Sequence, residues 1–155
     1  MRRLVLLLVV VAATAAGGGY ALASEDAQAH GSLRSQPLVE GCTSPSGFCT
    51  AGRASGTIEG DFVFTAFRSV PSDTPGVVLY TGEIVFQTSR GELHCQDAGA
   101  YNIGELESGA GPFASVCTIT GGTGDWAGAT GHIRTHGTFT LADGGNSKYE
   151  GLISR

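Results

Sequence analysis

Few side chains of this 155-residue chain stand where they could do chemistry, and the first of them is Asp97. The residues around it alternate in type, which puts Asp97 on one strand face with Leu93, Cys95 and Tyr101. A carboxyl among such neighbours loses water, its pKa rises, and it becomes able to take or return a proton on a bound apolar molecule. Tyr80, Tyr101 and Tyr149 share that face and can orient a ligand through their hydroxyls, with Ser115 near Asp97 and Phe64 and Phe86 as apolar walls. The competing reading is structural. In it Asp97 bonds Ser115, Tyr101 or a turn amide, and the tyrosines are core packing.

Other stretches offer chemistry that their spacing withdraws. His132-Ile133-Arg134-Thr135-His136 invites a metal or phosphate, but on a strand the two histidines lie roughly 13 Å apart at about 3.4 Å per residue. They cannot share one ion, and the expected metal set is none. Gly122-Thr123-Gly124-Asp125-Trp126-Ala127 fits the Gly-x-Gly-x-x-Ala dinucleotide pattern, which must open a helix, yet the following residues alternate as a strand. No Lys-Ser/Thr ends the run as a phosphate loop would, and there is no Gly-x-Ser-x-Gly elbow. The four cysteines, Cys42, Cys49, Cys95 and Cys117, allow three pairings. A short Cys42 to Cys49 loop and a Cys95 to Cys117 bridge are the reading favoured in an exported chain, with a zinc site as the alternative.

Export is read from the N-terminus. Met1-Arg2-Arg3, the apolar run from Leu4 to Ala16, and Ala21-Leu22-Ala23 follow the order of a secretory signal, with cleavage expected after Ala23. An uncleaved anchor is the alternative, because Leu4 to Ala23 carries no charge. Loss of Arg2 and Arg3 takes the formal charge from −5 to −7, which argues against nucleic acid or an anionic membrane as partner.

The elements that must position these groups are strands. Glycine accounts for 25 residues without a collagen period, and 41% of the chain is hydrophobic against 15% charged, a balance for a folded core built from strands and tight turns. Residues 24–52 read as a flexible lead-in stapled by the first disulfide, although a strand could lie within it; residues 53–155 read as one β domain. Strands are expected at about 56–67, 77–88, 92–101, 113–120, 126–141 and 147–154. Turn chemistry suggests registers: Arg90-Gly91 as a two-residue turn sets Phe86 against Cys95 and Ile84 against Asp97. Cys95 then faces Cys117, and Asp97 faces Ser115. A five-residue loop from Gly121 to Asp125 sets Ile119 against Ala127 and Ser115 against Gly131. A turn at residues 142–146 sets Phe139 against Tyr149, and Phe64 is set against Tyr80. One face then collects Ile58, Phe62, Phe64, Tyr80, Ile84, Phe86, Leu93, Phe113, Ile119, Ile133, Phe139, Tyr149 and Ile153. The other is polar but for Val77, Leu79, Val85, Val116 and Leu152, which could mark a homo-oligomer interface. Antiparallel strands with one apolar face bury it by closing into a barrel, with a sandwich as the alternative.

Gly121 to Gly131, preceded by Tyr80-Thr81-Gly82-Glu83 and by Leu93-x3-Asp97-x-Gly99, resembles the allene oxide cyclase and dirigent type of β-barrel, nearest its bacterial barrel-like branch. The resemblance spans residues 56–154. It implies an all-β, closed, antiparallel up-and-down barrel of about eight strands around a mostly apolar cavity, often dimeric or trimeric. It further implies cyclisation, ring formation or steering of a coupling reaction without metal or organic cofactor. The expected function is therefore a secreted barrel that binds a small apolar, lipid-like or polyketide-like molecule, as a cyclase or isomerase aided by Asp97. The alternative is a non-catalytic extracellular binding or dirigent-like module.

Overall fold

A computed structural model describes residues 26–155, apart from the side chains of residues 106–108. The expected secretory segment and the expected cleavage after Ala23 lie outside the described residues. Eight strands run β1 (Asp26–Pro37), β2 (Cys49–Gly56), β3 (Gly60–Pro71), β4 (Val77–Thr88), β5 (Gly91–Asn102), β6 (Gly111–Gly122), β7 (Thr130–Thr140) and β8 (Gly144–Ser154). Each pairs antiparallel with the next, and β1 pairs with β8 to close the barrel. A short helix, α1 (Ile103–Ser108), joins β5 to β6, and a single 3₁₀ turn, Gly124–Trp126, lies between β6 and β7. The closed up-and-down barrel is the expected architecture, with every strand edge paired.

The largest departure is the lead-in, because its Asp26–Pro37 segment and the residues from Cys49 onward are barrel wall. β1 points Ala27, Ala29, Gly31, Leu33 and Ser35 inward and Gln28, His30, Ser32 and Arg34 outward. The alternation is complete, but the inward residues are mostly small, so hydrophobicity shows it weakly. Closure requires this strand: without it β2 and β8 would each expose an unpaired edge.

The registers given above are all displaced by two or four residues, and a bulge between His94 and Cys95 sets Leu93 against Gly122. Ile84 pairs with Cys95 and Gly82 with Asp97, two residues from expectation, because the turn is at Ser89 and Arg90. There the Thr88 hydroxyl accepts from the Arg90 amide and donates to the Gly91 carbonyl. Asp97 pairs with Cys117 on its other side. The Cys95 to Cys117 disulfide therefore forms diagonally rather than directly across, with Cα atoms 5.6 Å apart, and Cys42 to Cys49 spans the same distance. Ile119 pairs with Gly131 and Cys117 with Ile133, four residues from expectation. Phe139 pairs with Gly145 and Thr135 with Tyr149, Phe64 with Ile84. Since side chains repeat every two residues, even displacements change neighbours and leave faces intact. The large residues of the expected core face all keep their side.

The glycine-rich stretch explains the displacement of β7. Residues 126–129 are not strand: Gly124 (φ 59°) lets the chain turn back, and Trp126 drops into the barrel end, fully buried. Its indole N–H donates to the Thr88 hydroxyl at 3.0 Å, and the Arg90 and Arg155 guanidiniums lie 4.6 Å from its ring. Ala127, expected inside, is exposed, while Ala129 is buried.

Candidate functional site

The two ends of the barrel are filled differently. At the end carrying the Trp126 turn, Ile58, Phe86, Leu93, Ile133, Tyr149 and Ile153 pack at 0–2% exposure. At the other end, under the β1–β2, β3–β4, β5–β6 and β7–β8 connections, lies a cavity of about 300 Å³. That volume is at the small end of ligand pockets. All five buried polar residues of the described chain, Thr50, Asp97, Ser115, Thr135 and Ser147, line it.

Asp97 sits in its wall on β5, 4% exposed. Burial pushes its pKa up to about 6, against the Ser115 and Tyr80 hydroxyls, which favour the ionised form. Its Oδ1 has no hydrogen-bond partner, and neither has the buried Thr135 Oγ1. Two buried oxygens without partners in one apolar chamber are costly, at about 1–3 kcal/mol each. They are what a ligand's donors would satisfy. The Tyr80 phenol is pushed well above the usual tyrosine range, first by burial and then by the Asp97 charge, so it stays neutral. Gly99 makes this arrangement possible: a Cβ there would stand 2.7 Å from the Tyr80 hydroxyl and 2.5 Å from the Ala114 carbonyl.

An arc of rings completes the chamber. Phe139, Phe48, Phe64, Tyr80 and Tyr101 follow one another at centroid separations of 5.8, 6.3, 5.6 and 5.9 Å, most of them edge to face. Phe48 enters from the β1–β2 connection, which the Cys42 to Cys49 disulfide closes. Ser44 folds that connection inward, accepting from the Ser46 and Phe48 amides and donating to the Ala66 carbonyl. Asn102 caps α1 through the Glu105 amide, and Ile103 of α1 and Leu141 of the β7–β8 turn both line the cavity.

Of the residues singled out from sequence, Asp97, Tyr80, Tyr101, Ser115 and Phe64 meet in this cavity. Tyr149 and Phe86 stand apart from it. The Tyr149 hydroxyl accepts from the Ile58 amide at 2.8 Å, pinning the β2–β3 turn, and Phe86 is fully buried against Phe62 at 5.9 Å. Leu33, Ser35, Phe48 and Thr50 were missed because they lie in the lead-in. Thr135 was legible by parity alone, two residues beyond Ile133. His132 and His136 are exposed on the outer face, and among the described residues no group of three His, Cys, Asp or Glu side chains is placed to hold a metal.

Comparison with known proteins adds no neighbour: no family model, no curated protein and no solved structure matches the chain.

Proposed function

We propose that this chain is an exported barrel that takes a small, mostly apolar molecule into the open-end cavity, with Asp97 facing the ligand. The observation carrying the reading is the unpartnered Asp97 Oδ1 in a chamber walled by aromatic rings. A filled core would have an apolar residue or an amide there. The two disulfides fit an oxidising location. The resemblance to allene oxide cyclase-like and dirigent barrels agrees with this reading, and extends it to cofactor-free cyclisation or isomerisation. A carboxyl titrating near 6 can take a proton from one atom of a bound molecule and return it to another.

Native mass spectrometry of the protein recovered from its own culture medium tests the reading. It predicts a chain starting at Ser24 and a retained small molecule, absent from a variant whose cavity is filled. A ligand-free protein that binds no apolar probe contradicts it. A binding module without turnover is the second reading, favoured by a cavity lining that holds one carboxyl and, among the described residues, no second Asp or Glu and no His, Lys or Arg. Conversion of an unsaturated lipid or polyketide that disappears in Asp97→Asn, with folding intact, decides for catalysis.

A further inference from the structure

Charge is distributed unevenly between the two barrel ends. The four connections at the open end are residues 38–48, 72–76, 103–110 and 141–143. Each carries an acid, exposed at Glu40, Asp73, Glu105 and Asp143, and none carries Lys, Arg or His. The opposite end is mixed in charge: Arg90 and Arg155 lie against Trp126, Arg90 is paired with Asp125 at 3.1 Å, and Glu59 stands in the β2–β3 connection. Below the acidic rim, the cavity wall repeats the asymmetry. Among the described residues Asp97 is its only carboxyl, and no basic side chain lines it. An ionised carboxylate buried without a countercharge is a strong demand for one.

Resting on the reading of this cavity as the binding site, we infer that its ligand is a hydrophobic cation, a protonated amine on an apolar body. The acidic rim attracts a cation to the mouth, since charges of one sign around a cleft raise the local concentration of the opposite sign. Inside, the ammonium donates to Asp97 Oδ1 and the ring arc offers π faces to the charge. Thr135 Oγ1 accepts a further donor of the ligand. A fatty carboxylate meets the reverse: a like charge at the rim and another at Asp97. A neutral alcohol can satisfy Oδ1 but supplies no charge.

The test uses the mature protein and three probes of one chain length, decylamine, decanol and decanoate, each displacing the uncharged fluorophore N-phenyl-1-naphthylamine. At about pH 7.5 decylamine is expected to bind roughly tenfold or more tighter than decanol, the scale of a charge-assisted bond, with decanoate weakest. Lowering to about pH 5 protonates Asp97 while the amine stays charged as it was, and the preference over decanol should shrink toward parity. The other titratable groups facing Asp97 are the phenols of Tyr80 from β4 and Tyr101 on β5; β6 presents Ser115 and the bridged Cys117. Asp97→Asn should keep fluorophore binding and lose the amine preference at both pH values, and the wild-type pH series carries the test even if that variant folds poorly. Fluorophore binding without an amine preference overturns this inference and leaves the apolar-cavity reading standing. If neither fluorophore nor decylamine binds, both fall.

Discussion

The two halves of this barrel are built from the same strands and the same alternation, yet one is solid and the other hollow. At the solid end large inward residues pack together, Trp126 closes the bottom, and the Tyr149 and Thr88 hydroxyls are both bonded to the turns they support. At the hollow end the inward residues are rings standing around a space, interrupted by polar groups that lack partners. Stability is concentrated in the first half, and the features that cost stability are concentrated in the second. A chamber with unmet hydrogen bonds and a raised carboxyl is poor packing and a good binding site.

The sharpest way to break the contrast is truncation on each side of it. Trp126→Ala should cost on the order of 3–5 kcal/mol, read from urea unfolding, because a fully buried indole leaves a void that cannot collapse. Phe113→Ala, at the half-buried cavity wall, should cost less than about 2 kcal/mol, since one side of that ring already faces space. Equal costs would mean that the two ends are packed alike.

Asp97 gives the opposite sign. Its folded pKa lies above its unfolded value, so the folded state binds more protons between pH 3.8 and about 6. Stability from this group is therefore fully present below about pH 4 and is lost as pH rises through 6. Asp97→Asn should accordingly raise stability at neutral pH by on the order of 2–3 kcal/mol, a gain that fades toward pH 4. A flat difference across that range would show that Asp97 is satisfied in the fold.

The disulfides sharpen the comparison at the mouth. Cys42→Ser with Cys49→Ser should cost about 2.5 kcal/mol by loop entropy and, by releasing Phe48, weaken apolar-probe binding. Smallest is Ser115→Ala. Removing a hydroxyl that favours the ionised form should move the Asp97 titration upward by less than about one unit, measured by carboxyl carbon NMR.

Much of this contrast was legible before any coordinates. Alternation placed Asp97, Tyr80, Tyr101, Ser115 and Phe64 on the inner face, and the closed barrel followed from one apolar face and too many edges. Register was not legible, since a two-residue slip preserves every face and only turn geometry decides it. The Trp126 turn shows why: a 3₁₀ segment inside a glycine-rich run consumes four residues that otherwise read as strand. Nor could sequence separate Tyr149 from Tyr80. Both are inward tyrosines, and height along the barrel, which depends on register, makes one a pillar and the other a cavity wall. The lead-in was misread for a third reason, because closing strands with small inward residues carry little hydrophobic signal.

The central claim is that the open end is hollow in order to be filled. It is tested most directly by introducing the same side chain at both ends, Ala66→Leu in the cavity wall and Ala54→Leu in the packed core, each alanine being almost fully buried. With N-phenyl-1-naphthylamine as probe, Ala66→Leu should weaken binding at least about tenfold and leave stability within about 1 kcal/mol of wild type. Ala54→Leu should bind normally and lose about 1–3 kcal/mol to overpacking. Unaltered binding in Ala66→Leu, or equal destabilisation by the two, would contradict it.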